Sequence, residues 1–157
     1  MEEIRYCADG HIFCNARRIM LAVDGSEGSS RAATVAFEVA EMTKSKLFIV
    51  HVIPTPIVRQ IALMSESDPE EILIKYKVKG EKLLEGVRKA STKYKIETEV
   101  ILDRGSPSDR IIYLSKEKKV DLVVIGARGA TGGGRTGLGS SAERVTFGAD
   151  CPVLVVK

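Results

Sequence analysis

Three apolar runs set the tightest limit on what this chain can fold into. They are Ile19-Met-Leu-Ala-Val23, Leu47 to Ile53 (broken only by His51), and Leu122-Val-Val-Ile125. Runs of this kind, without polar alternation, suit strands covered on both faces, as in a parallel sheet. Helical patterns separate them. Ser29 or Ser30 can cap a first helix, whose Ala33, Ala36, Phe37 and Ala40 fall on one apolar face. Pro54 to Ser67 shows no strong period and reads as a long connection. Asp68-Pro69-Glu70-Glu71 is a helix start: a cap, a proline in the first turn, then a glutamate three residues after the cap. Ile72, Tyr76, Leu83, Val87, Ala90 and Tyr94 continue that helical spacing, with Tyr94 read as a packing residue. Thr98, Val100 and Leu102 alternate with glutamates, as in a half-exposed strand at a sheet edge. Gly105 to Asp109 opens another helix, and Pro152 to Val156 forms a last strand. The five-fold alternation predicts an α/β fold on a mostly parallel sheet.

The stretch from Gly126 to Ser141 interrupts this rhythm. Seven of its sixteen residues are glycine, too many for helix or strand. It follows one buried strand and leads into a helical pattern near Ser141. Glycines let main-chain N–H groups approach a ligand, and a helix N-terminus adds free donors and partial positive charge. The stretch reads as a phosphate cradle, against the alternative of a plain surface loop. Arg128 and Arg135 either reach a polyphosphate or stay solvated loop charges. Asp24, like the cradle, follows the carboxyl end of a strand, where ligands meet open α/β sheets at a switch point. Two better-known phosphate motifs match by letter and fail by context. Gly129-x4-Gly134-Arg135-Thr136 resembles a P-loop, but Gly137 and Gly139 follow where its helix must begin. Gly137-x-Gly139-x-x-Ala142 lies too far from its strand for a dinucleotide fingerprint, and the required downstream acid is missing.

Length and charge narrow the function classes. A chain of 157 residues is expected to be one domain with a real core. Its 24 basic and 21 acidic residues are interspersed, so the net +3 does not argue for nucleic acid. Lys75, Lys77, Lys79 and Lys82 read as the solvated side of a helix. No membrane span or signal peptide is apparent, so a cytoplasmic location with reduced cysteines is expected. Cys7, His11 and Cys14 could be three metal ligands, but a structural zinc site usually needs four. Residues 1–17 are therefore read as an extension with incidental cysteines, and 18–157 as the domain.

A third spacing absorbs the glycines. Gly126-x2-Gly129-x9-Gly139-Ser140 resembles the ATP-binding signature of the universal stress protein family. The likeness runs from about Arg17 to Lys157. It includes Asp24-Gly25-Ser26, His51-Val52, Ser141 to Val145 and the closing Cys151 to Val156. The middle of the x9 segment, Gly132 to Gly134, is richer in glycine than the family usually shows. The resemblance implies a doubly wound open sheet in the order 3-2-1-4-5, and a homodimer paired through the C-terminal strand. It implies ATP, or AMP or ADP, as ligand, with Mg or Mn on the phosphates. Position by position, it implies that Asp24 and the backbone at Val52 hold the nucleoside. Gly126, Gly129, Gly139, Ser140 and the adjacent Ser141 would hold ribose and phosphates.

The resulting expectation is a dimeric stress-related binding module whose state depends on an adenine nucleotide. Hydrolysis, slow or partner-dependent, stays open beside it. It would need a base near the γ-phosphate, and no acid or histidine lies between Gly126 and Ala142. His51 could reach the site or could be a packed structural residue. An adenylate-forming relative would carry a Ser-Gly-Gly-type loop that Asp24-Gly25-Ser26-Glu27 lacks. The alternative outside enzymes is a protein of the same fold that binds no nucleotide and acts through dimerisation.

Overall fold

In the computed structural model, which describes residues 16–130 and 137–157, the apolar runs become the middle of a five-stranded sheet. The strands are β1 (Arg18–Ala22), β2 (Lys46–Pro54), β3 (Thr98–Gly105), β4 (Leu122–Gly126) and β5 (Val153–Val156). They pair in the order β3-β2-β1-β4-β5, and every pair is parallel. The parallel α/β sheet read from the strand pattern, and the doubly wound order that the family resemblance implied, are what forms.

Period-two alternation explains why the central runs have no polar face. Ile19, Leu21, Leu47, Ile49, Leu122 and Val124 enter one core, with Ala32, Ala36 and Phe37 of helix α1 (Glu27–Thr43) and Leu84 of α3 (Pro69–Ser91). Met20, Phe48, Val50, Val123 and Ile125 enter the other. They meet Ile111 and Leu114 of α4 (Pro107–Glu117), and Ala142 and Val145 of α5 (Ser140–Gly148). A strand between two helical layers must be apolar on both sides. β3 pairs on one side only and is half-exposed, as its alternation predicts.

Three expectations change. Pro54 to Ser67 is not a structureless connection but carries a further helix, α2 (Thr55–Ser65). It starts at Thr55, with Pro56 in its first turn and no side-chain cap, and buries only Val58 and Ala62. Ile61, Leu63 and Met64 stay exposed, and these outward apolar residues blur the 3.6-residue period. The cap of α1 is Ser26, not Ser29 or Ser30: Gly25, at φ +83°, turns the chain early, and Ser29 N–H donates to Ser26 Oγ at 3.1 Å. Helix α3 ends at Ser91, so Tyr94 lies past it. Its ring still packs 5.2 Å from that of Phe37. Asp68 caps α3 as expected, by accepting from Glu70 N–H. Among the described residues no helix is long and apolar enough to cross a membrane.

Burial separates two leucines that a composition table would treat alike. Leu21→Ala, at a fully buried position, should lower the unfolding free energy by about 2–5 kcal/mol in urea denaturation. Leu63→Ala, where the side chain is 82% exposed, should stay within about 0.5 kcal/mol of wild type.

Candidate functional site

Strand order reverses between β1 and β4, since the chain runs outward to β2 and β3 from one and to β5 from the other. A crevice opens at such a point beyond the strands' carboxyl ends. On the β1 side, Val23 N–H donates to Val50 O at 2.9 Å, and the chain then turns through Asp24 and Gly25 into α1. The Asp24 carboxylate accepts from Ser26 N–H at 2.9 Å with Oδ1, and from Ala130 N–H at 2.7 Å with Oδ2. The turn after β1 thus grips the loop after β4.

That loop fits only because side chains are missing. A Cβ on Gly126 would lie 2.7 Å from the Gly28 carbonyl carbon, and one on Gly28 would lie 2.7 Å from Arg128 O. A Cβ on Gly129 would lie 2.7 Å from Asp24 Oδ2. Gly139, across the loop, stands against the Gly129 nitrogen and Arg128 Cα, and its N–H donates to Ala127 O at 2.7 Å. Ala127 N–H in turn donates to Val156 O, so the two ends of the loop are tied to each other and to β5. Gly139 is the N-cap of α5 and has no side chain to accept from its first turn. The N–H groups of Ser140, Ser141 and Ala142 precede the first intrahelical donor, Glu143, whose N–H bonds Gly139 O. Helix ends of this kind suit an anion, and this one lies beside Gly129 and Asp24.

Asp24 is the charged residue at the centre. Burial pushes its carboxyl pKa up, but the Ser26 side chain, the backbone N–H groups of Ser26 and Ala130, and the Ser29 side chain together outweigh that. The carboxyl is held below its ordinary value of 3.8. It is an ionised acceptor at neutral pH and suits a hydroxyl-rich sugar.

The structure brings Asp24, Gly126, Gly129, Gly139, Ser140 and Ser141 to one end of the sheet. The Arg128 backbone belongs to the same knot, while its residue is exposed. Val52 is placed by strand pairing instead. Lys46 N–H donates to Arg17 O and Leu47 N–H to Glu97 O, so even-numbered residues of β2 aim their backbone toward β1. Val52 therefore aims its N–H and C=O past the end of β1, while its side chain is buried below. His51 is hydrogen-bonded, with Nδ1 2.8 Å from Val23 O. Arg135 and Gly132 to Gly134, and likewise Cys7, His11 and Cys14, lie outside the described residues. Sequence reasoning missed Gly28, Ser26 and the Ala130 N–H. The legible signal for Gly28 was a glycine in a helix's first turn, where it costs stability relative to alanine. Among the described residues, no three His, Cys, Asp or Glu side chains are grouped to hold a metal ion.

The geometry can be set beside known proteins. Residues 15–157 match the model of the universal stress protein family. The universal stress protein YxiE of Bacillus subtilis is 32% identical over 145 residues, covering 89% of this chain and 98% of its own. Universal stress protein MJ0531 of Methanocaldococcus jannaschii is 37% identical over 144 residues, covering 90% and 82%. Among solved structures, the universal stress protein UspA from Lactobacillus plantarum superposes with a TM-score of 0.79 at 21% identity, covering 90% of this chain and 98% of its own. The universal stress protein from Archaeoglobus fulgidus in complex with dAMP has a TM-score of 0.64 at 23% identity, covering 92% and 99%. A family protein from Arabidopsis thaliana with AMP bound has a TM-score of 0.63 at 23% identity, covering 90% and 91%. At these identities the superpositions speak for the fold.

The depressed carboxyl of Asp24 fixes the sign of a pH effect. The folded form holds its proton less tightly than the unfolded chain, so the group adds stability that is fully present above the unfolded value near 3.8. That stability is lost as pH falls through the lower folded value. Asp24→Asn should cost about 1 kcal/mol at pH 7, because the acceptor is partly exposed and screened. The gap from wild type should narrow in urea melts as pH is lowered below 3.8, and a gap that widens there would contradict the assignment.

Proposed function

This chain belongs to the universal stress protein family, and on that premise we propose that it is a regulatory module that binds an adenine nucleotide. The carrying observation is the meeting of an ionised carboxylate, Asp24, with an uncapped helix N-terminus across loop positions where no side chain fits. Asp24 accepts from ribose hydroxyls. The peptide edge of Val52 that aims past the end of β1 meets the base. Gly126, Gly129 and Gly139 keep the floor thin, and the N–H and hydroxyl groups of Ser140 and Ser141 take phosphate oxygens. Arg128 stands at the rim as a counter-charge. The relatives whose structures carry dAMP and AMP support this ligand class. ATP is the preferred member. Mg or Mn, which bind readily through substrate phosphates, would ride on the phosphates.

The binding domain is taken as residues 18–157, with 1–17 an extension outside it. A homodimer through β5 completes the reading. Val123 N–H donates to Pro152 O and Ala127 N–H to Val156 O, so even-numbered residues of β5 aim their backbone inward. Val153 and Val155 aim theirs outward, where a second copy of the strand can pair.

Isothermal titration with ATP, ADP and AMP tests the site. Gly129→Val places carbon against Asp24 Oδ2 and should weaken ATP binding at least a hundredfold, with Gly139→Val close behind. Full affinity in either variant, with its circular dichroism unchanged, would refute the assignment. For assembly, Val155→Pro removes an outward N–H without touching the bonds to β4, and should convert the dimer to monomer in light scattering. An unchanged dimer mass would point to another surface.

A further inference from the structure

The end of β1 breaks the regular ladder in one place. In a parallel pair, Val23 N–H to Val50 O should be followed by Val52 N–H to Val23 O. The first bond is made, at 2.9 Å, and the second is not. Val23 O is taken instead by the His51 ring, with Nδ1 at 2.8 Å. A carbonyl can only accept, so Nδ1 carries the hydrogen. The ring is held in place from behind by α3. A Cβ on Gly80 would lie 2.8 Å from His51 Cδ2 and 3.3 Å from Nε2. Gly80 lies inside a 23-residue helix, where glycine costs about 1 kcal/mol relative to alanine. Its missing side chain is what gives the imidazole room.

We propose that His51 is a positioning residue for base recognition: by donating to Val23 O it takes the acceptor that Val52 N–H would otherwise use, and so leaves that N–H pointing into the crevice. Val52 then offers a donor and an acceptor side by side. Adenine presents the matching edge, an acceptor at N1 beside a donor at the 6-amino group. A 6-oxopurine presents the reverse, a donor at N1 beside an acceptor. His51 thereby sets the preference for adenine without touching the nucleotide. This rests on the adenine-nucleotide reading above.

The test pairs a ligand-free measurement with a selectivity ratio. Scalar couplings across hydrogen bonds, read by NMR on the nucleotide-free protein, should connect His51 Nδ1 to the Val23 carbonyl and should be absent between Val52 N–H and that carbonyl. His51→Leu should create the Val52–Val23 coupling, lower ATP affinity about tenfold, and cut the preference for ATP over inosine triphosphate by a similar factor. His51→Asn, whose amide nitrogen falls near the position of Nδ1, should restore both. Gly80→Ala should behave like His51→Leu although it removes no polar group. A Val52–Val23 coupling already present in wild type would overturn the proposal. So would an unchanged purine preference in His51→Leu and Gly80→Ala. A wild type with no affinity for any nucleotide, but with the expected couplings, would instead overturn the binding reading on which the proposal stands.

Discussion

The close approach of two backbones at Gly28 and Gly126 is the constraint from which the crevice follows. The first turn of α1 rests on the last residue of β4 with no room for a methyl group between them. That contact fixes the start of one crossover helix against the strand on the other side of the switch point. Because the sheet is covered by helices on both faces, neither element can retreat without opening a buried core. The loop after β4 must then pass over α1 at the height of Asp24. Asp24, Gly129 and the N-terminus of α5 meet there because the packing underneath leaves the chain no other course.

Asp24 is the electrostatic partner of that steric constraint. Its two oxygens are committed to different segments, one to the turn it belongs to and one to Ala130. A ligand that recruits this carboxylate therefore competes with, or adds to, the bond that holds the glycine loop down. Any contact made to this carboxylate would draw on the same charge that holds Ala130.

Much of this was legible in the sequence, for physical reasons that differ by element. The central strands were readable because burial on two faces forces unbroken apolar runs at Ile19 to Val23 and Leu122 to Ile125. Asp68 and Pro69 announced α3 because capping chemistry is local. Helix α2 was hidden because it buries only Val58 and Ala62 and shows apolar residues to solvent, so no period stands out. The cap of α1 was misplaced by three or four residues because the turn at Gly25 is decided by a positive φ angle that neighbouring serines do not reveal. The glycine spacing pointed to the carboxyl end of β4, where the loop meets Asp24. It could not show that Ala130, through a backbone N–H, is the loop's tether to Asp24. Backbone contacts carry no letter code, and the role of His51 was ambiguous for the same reason.

Among the described residues, the two outer strands of the sheet are chemically unlike. β3 runs eight residues and carries Glu99, Asp103 and Arg104, with Glu99 already engaged by Lys46 and Lys118. β5 is four residues of valine and leucine. Charge on an exposed strand discourages a neighbour, while an uncharged strand accepts one. A sheet that can be extended at only one side has nowhere to grow once that side is filled. A second copy joined through β5 would leave only the two charged β3 edges facing outward, and edges of that kind disfavour further edge-to-edge growth.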